Sequence, residues 1–388
     1  MTERDLLEAS LGDYRVLARP GSQRGRPMWI LDPPAAAIWD AARVGLAPEK
    51  IAVYLAARFA LPLAQVQADV ARLLAIWRDA TDVAPTGIDL GDDWIILRDA
   101  TDVAPTWTLH LADRWIALTV DDPDLAGGLE PLLAHLQAEP NGPVHARLHL
   151  AGITADWQLF VDETFTAMGN TRDGAIIRTV AELGEAACAT DQRLLVLHAT
   201  GVSRASQGLL LIGVSGAGKT TLAAALNASG WELLSDDVIP VTLEGQLLGL
   251  GLSLCLKAGS WLALASWLPD LDHAPLVERA SQPVRFPPPP GPINRGPLPT
   301  AAFLFPRYCP DQEAAFEPLH PVQVLRSLIE AESVIPELSQ DKLLALTHWI
   351  ASAPGFALTY PDLDHALDLI AEIQSRSPKL LPWRDVIY

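Results

Sequence analysis

Cysteine is scarce in this chain, with Cys188, Cys255 and Cys309 the only three among 388 residues. Their odd number and wide spacing exclude a disulfide framework and a zinc cluster. Positive charge is also in short supply. Twenty-eight Lys and Arg face 47 Asp and Glu, for a formal net charge of −19. That balance opposes non-specific attraction to nucleic acid or anionic lipid, so neither is expected as a partner. Long apolar runs are missing too. The longest, such as residues 209–213, have strand length and fall short of the roughly 18 residues that span a bilayer. Residues 1–10 carry Glu3, Arg4, Asp5 and Glu8 and no apolar signal core, so a soluble cytoplasmic protein is expected. Apolar residues as such are plentiful. At 49% hydrophobic and 19% charged the chain is a folded one, and its length predicts two or three domains.

The pattern changes twice along the chain. Residues 14–18 and 28–31 read as short strands, and Asp32-Pro33-Pro34 then opens a helix over 35–43. A second helix over 48–59 spaces Ile51, Leu55 and Phe59 four apart. A third, over 63–77, gathers Val66, Val70, Leu73, Leu74 and Trp77 on one face. Residues 1–80 are therefore expected to form a small winged-helix-like α+β domain. The nonapeptide RDATDVAPT at 78–86 recurs unchanged at 98–106, twenty residues later. Chance identity over nine positions is negligible. Two copies make a local duplication or a sequence error, not a repeat architecture, and it carries no chemistry.

Residues 81–190 read as a β-rich subdomain, with strands at 94–97, 107–111, 115–120, 146–150 and 157–161 and helices at 129–137 and 176–189. From Leu194 onward buried strands alternate with helices, the mark of an α/β sheet, so 191–388 is expected to be one α/β domain. Within it, the stretch FPPPPGPINRGPLP at 286–299 is too rich in proline for a helix or a central strand and predicts an extended loop near the active site. A strand at 302–305 and helices at 321–331, 339–351 and 363–375 complete the reading.

The strongest signal is Gly213-Val214-Ser215-Gly216-Ala217-Gly218-Lys219-Thr220, a complete G-x-x-x-x-G-K-[ST] phosphate loop between a strand at 209–212 and a helix at 219–227. Its glycines allow backbone angles closed to other residues and bring successive N–H groups against phosphate oxygens. Lys219 reaches the β- and γ-phosphates, and the Thr220 hydroxyl can ligate Mg²⁺. Eighteen residues after Lys219 a short strand ends in Asp236-Asp237. The spacing is that of the next parallel strand after one crossover helix, which puts these acids at the crevice of the phosphate loop. One can help hold Mg²⁺ while the other accepts a proton from an attacking hydroxyl. His198 ends the strand at 194–197, 21 residues before Lys219.

In their order and spacing, His198, the loop 213–220 and Asp236-Asp237 resemble the catalytic domain of HPr serine kinase/phosphorylase and its relatives. The resemblance covers about residues 194–241. It implies an ATP- and Mg²⁺-dependent P-loop kinase, an HPr-kinase-like α/β domain. Gly213, Ser215, Gly216, Ala217, Gly218, Lys219, Thr220 and Thr221 would hold the nucleotide phosphates, and Thr220 with Asp236 the metal. Asp237 would be the proton acceptor, with His198 beside the acceptor hydroxyl. Two departures stand out. Ala199 occupies the position where the family has an acid after its histidine. The stretch 248–261 shows Lys257 in place of a glycine-rich signature with a metal-binding glutamate. Lys257 is there either to contact a phosphate or as a surface cation, and Arg279, Arg285 and Arg295 are candidate cations for the transition state. These losses bear on phosphorylase activity and on HPr as acceptor. The family forms hexamers, which implies self-association.

Residues 1–80 resemble a PqqD-like peptide-recognition element, through the strand end Trp29-Ile30-Leu31-Asp32 and the helices that follow it. Such modules bind leader segments of ribosomally made precursor peptides. An exposed strand edge accepts an extended peptide as an extra strand, while a neighbouring helix supplies apolar pockets. The joint implication is a kinase acting on a Ser or Thr hydroxyl of a precursor peptide held by its leader. A kinase for a small molecule with a regulatory N-terminal domain, and a non-enzymatic, nucleotide-gated peptide chaperone, are the alternatives.

Overall fold

The computed structural model describes residues 6–20, 28–43, 46–59, 61–79, 104–153, 156–279, 282–331 and 333–376. The expected strand at 94–97 and most of both nonapeptide copies lie outside them. The chain divides into two compact units, Met1–Trp94 with Glu337–Ala351, and Ile95–Pro336 with Ser352–Tyr388.

The first unit opens with an antiparallel sheet of β1 (Leu7–Leu11), β2 (Tyr14–Ala18) and β3 (Met28–Leu31), in that order. Three helices follow: α1 (Pro33–Arg43), α2 (Pro48–Phe59) and α3 (Leu63–Asp79). The Asp32 carboxylate accepts from the Ala35 N–H at 2.9 Å, so the acidic cap read from the sequence starts α1 as expected. Ile38, Ile51, Leu55, Val66 and Val70 form one buried cluster between these helices. At roughly 1.5–3 kcal/mol per buried aliphatic side chain, that stripe is what holds the helices together. Strand β1 was not read from the sequence; Leu7–Leu11 mixes Glu8 and Ser10 into a short, weak alternation. A late helix, Gln340–Ala351, also belongs to this unit and packs on β1. The Glu8 N–H donates to Gln340 Oε1 at 2.9 Å, and the Gln340 amide donates back to the Glu8 carbonyl. The reading that placed this helix with 191–388 therefore differs from the observed units.

The second unit contains two large sheets. The first has five strands in sequence order: β4 (Trp107–Leu111), β5 (Arg114–Val120), β6 (Val144–Ile153), β7 (Asp156–Val161) and β8 (Thr164–Gly169). Only β5 and β6 run parallel, and α4 (Pro123–Leu133) is their crossover. This helix begins six residues earlier than the periodicity suggests, because Asp122 caps it and Pro123 occupies its first turn. Helix α5 (Arg172–Cys188), capped by Thr171, packs against the same sheet. Its core also takes in Leu248, Leu250, Leu252, Val277, Val284 and Phe286, so the boundary expected at 190 is not a boundary of packing.

The second sheet carries β9 (Arg193–Leu197), β10 (Thr200–Arg204), β11 (Gln207–Leu211), β12 (Glu232–Ser235), β13 (Ile239–Thr242) and β14 (Gln246–Leu247), with α6 (Lys219–Ala228) between β11 and β12. After it come a small sheet of β15 (Leu256–Lys257), β16 (Leu276–Glu278) and β17 (Pro283–Arg285), and helix α7 (Ala258–Leu264). Strand β18 (Leu298–Tyr308), β19 (Ala315–Leu319), α8 (Pro321–Glu330), α9 (the Gln340–Ala351 helix), β20 (Gly355–Tyr360) and α10 (Leu363–Arg376) end the described chain. The strand order is β12-β10-β11-β18-β14-β13-β9, with β20 beside β18 and β19 beside β20. Strands β11, β18 and β20 run parallel.

Here the sequence reading needs correction. Strand β12 runs in the direction of β11 but is not its neighbour, because β10 lies between them, antiparallel to both. The cause is local. Ala205 and Ser206 both take positive φ, 52° and 59°, in a two-residue hairpin that folds β10 back beside β11. The proline-rich stretch is extended, as expected. Ile293 bridges Leu233 in parallel, so this strap covers the free edge of β12. Among the described residues no helix is long and apolar enough to cross a membrane.

Candidate phosphate-loop active site

Residues 209–212 are fully buried and carry the chain to the parallel end of the sheet, where the loop 213–218 turns into α6. Gly216 and Gly218 stand at φ 89° and 93°, a region closed to most side chains, and Gly218 is the cap residue of α6. A β-carbon at Gly218 would also sit 3.0 Å from the Tyr360 hydroxyl. The loop apex, Val214 to Gly216, is exposed, while Lys219 is buried beneath it. The Lys219 ammonium donates to the carbonyls of Gly213 at 2.7 Å and Val214 at 3.3 Å. Burial lowers its pKa and the nearby Lys257 charge adds to this, against the pull of Asp237 and Asp236.

Asp236 is the hub. Its Oδ1 accepts the hydroxyls of Thr200 at 2.7 Å and Thr220 at 3.0 Å, and its Oδ2 accepts the Cys255 N–H at 3.0 Å. Burial raises its pKa to about 7, and the neighbouring Asp237 charge adds to the shift while the three hydrogen bonds oppose it. Asp237 points elsewhere and is half-exposed. Its φ of 61° and the hydrogen bond from the Val238 N–H to the Asp236 carbonyl, 2.8 Å, describe a three-residue turn that aims consecutive carboxylates apart. His198 Nε2 lies 4.0 Å from Asp237 Oδ1, because Leu197 and Ile239 pair across the antiparallel β9 and β13. The sequence-predicted residues thus form two groups, Lys219–Thr220–Asp236 beneath the loop and Asp237–His198 at the open rim. Thr221, next along α6, makes none of the Asp236 contacts.

Two participants escaped the sequence reading. Thr200 reaches Asp236 from β10, the strand that was not expected between β11 and β12. Cys255 contributes only its backbone, for which no side-chain signal exists. Of the candidate cations, Arg285 donates to the carbonyls of Asp272 and Ala274 and lies 5.0 Å from the Trp261 ring centre. Arg295 donates to the His135 carbonyl at 2.8 Å. Both are structural braces.

Thr220 and Asp236 offer hard oxygen donors 3.0 Å apart, and a cation there would relieve the buried carboxylate. Among the described residues no group of three or more His, Cys, Asp or Glu could cage a metal. That set fits Mg²⁺, which takes one or two protein ligands and completes its shell with phosphates and water. On the far side of the loop from the acids opens a groove of about 820 Å³, floored by Ile212, Phe305 and Leu358 and rimmed by Tyr308, Gln312 and Thr359.

No protein-family model matches the chain, and no curated protein matches it. Among solved structures, the HPr(Ser) kinase/phosphatase from Coxiella burnetii is similar over 48% of this chain and 96% of its own length, at 16% identity and a TM-score of 0.23. A likeness at that score carries no argument, so function rests on the site itself.

Proposed function

We propose that the chain is a P-loop phosphotransferase that moves the γ-phosphoryl group of ATP to a hydroxyl. The observation that carries this reading is the convergence of the loop 213–220, the Thr220–Asp236 pair and the exposed Asp237 at one end of one sheet. Phosphoryl transfer asks for held phosphates, a metal and a base in line, with little covalent work by the protein. The loop amides and Lys219 would hold the triphosphate, leaving the groove of 820 Å³ for the nucleoside. Thr220 and Asp236 would hold Mg²⁺, which when bound neutralises charge on the phosphates. Asp237 takes the proton of the acceptor hydroxyl as its oxygen bonds to phosphorus and the bridging oxygen leaves with ADP. His198, 4.0 Å away, orients that carboxylate or the acceptor.

The acceptor we favour is a Ser or Thr of a peptide bound by the first unit. In support, among the described residues β3 pairs only with β2, leaving its outer edge open to an added strand. A tethered leader would raise the local concentration of its own core segment, so weak contacts at Asp237 suffice. The test is to incubate the full chain with ATP, Mg²⁺ and a precursor peptide encoded beside it. Gain of one phosphate on Ser or Thr supports the reading. ATP turnover without any peptide modification refutes the peptide acceptor, and absence of nucleotide binding refutes the whole.

A further inference from the structure

The phosphate loop is met by a second cation from outside its own strand and helix. Lys257, the last residue of β15, donates from Nζ to Ser215 Oγ at 2.8 Å, at the exposed apex of the loop. Among the described residues no carboxylate lies within ion-pair distance of this ammonium, the usual fate of a surface lysine in so acidic a chain. Its backbone is pinned at each step. The Cys255 N–H is held by Asp236 at 3.0 Å, the Leu256 carbonyl by Trp261 Nε1 at 3.0 Å, and the Lys257 carbonyl by the Ser260 hydroxyl at 2.8 Å. The carboxylate that contacts Thr220 therefore also positions the strand bearing Lys257.

We propose that Lys257 is a phosphate-binding cation of this site, which leaves Ser215 to contact the terminal phosphate of a bound triphosphate opposite Lys219. Two ammonium groups at one loop repel until an anion lies between them, and a triphosphate supplies that anion. The inference rests on the reading of the loop as a nucleotide site. A charged hydrogen bond of this kind is worth about tenfold in affinity or more. The experiment measures binding of a non-hydrolysable ATP analogue and of ADP, each with Mg²⁺, to the full chain by calorimetry. In Lys257→Met the triphosphate Kd rises about tenfold while the ADP Kd stays within twofold, and Lys257→Arg returns triphosphate affinity to within about threefold. Lys257→Gln, of similar length, repeats the measurement should Lys257→Met fail to fold. Equal loss for both nucleotides makes Lys257 a brace of the loop and overturns the proposal, as does no loss for either. If the unmodified protein binds neither nucleotide, the loop reading falls and this inference with it.

Discussion

Asp237 occupies a backbone conformation that costs an ordinary side chain of order 1–2 kcal/mol, and Asp tolerates it better than most. Strain kept at a half-exposed acid beside a phosphate loop is consistent with the role of base proposed for it. Asp237→Asn keeps the turn, since Asn also accepts positive φ, but removes the carboxylate proposed as base. Phosphoryl transfer should fall about 10²- to 10⁴-fold while nucleotide affinity stays within about twofold, read by labelled ATP and calorimetry on the same sample. Asp236 yields a prediction of a different kind. Its pKa, pushed to about 7 from the usual 3.8, makes ionisation unfavourable in the folded protein. Below pH 4 both folded and unfolded chains keep the proton, and no cost arises. Between pH 4 and 7 only the unfolded chain loses it, so stability falls as pH rises, by a few kcal/mol in total, and levels off above 7. Asp236→Asn abolishes that slope. In chelator-treated buffer its Tm should gain about 5 °C on the unmodified protein between pH 5 and pH 8, followed by calorimetry. At this scale the sequence was largely readable, because a phosphate loop is a contiguous code. Thr200 was not, since it reaches Asp236 only through a strand order that no local pattern reveals.

The strap 291–294 shows how elements are joined around the site. Fully buried Asn227, near the end of α6, donates to the carbonyls of Trp231 at 2.7 Å and Pro292 at 2.9 Å and accepts the Gly291 N–H at 2.9 Å. One amide thereby ties the phosphate-loop helix to the strap that shields the strand leading to Asp236. Asn227→Leu should destabilise the fold by about 3 kcal/mol, because partners left unmade in the interior cost about 1–3 kcal/mol each. The denaturant midpoint would drop with an unchanged slope. Gly291 belongs to the same joint, since a β-carbon there would lie 2.2 Å from the Asn227 carbonyl oxygen, which is backbone and cannot step aside. Proline content announced an extended segment at 286–299, and strand and helix positions were mostly legible from periodicity. Pairing was not. The hairpin at Ala205–Ser206 places β10 between β11 and β12, and neither residue is a glycine or asparagine that would have flagged positive φ.

Across the whole molecule, the chain enters the second unit, leaves it for the helix 340–351, and returns. Leu343, Leu346 and Ile350 of that helix are buried. A chain beginning at residue 95 keeps these side chains but loses β1, so it should bind hydrophobic dyes and aggregate. Replacing 337–351 in it with a Gly/Ser linker of equal length should restore a monodisperse protein, as seen by light scattering. The periodicity of this helix resembles that of its neighbours, and nothing local in it names its partner, which is why chain order alone groups it with 191–388.

That interleaving bears on how the protein behaves at the bench. Were the main chain cut between α3 and β4, the fragment with β1 would still clasp a helix covalently owned by the other fragment. Clipped material would co-elute as one species on a sizing column and betray the break only on a denaturing gel.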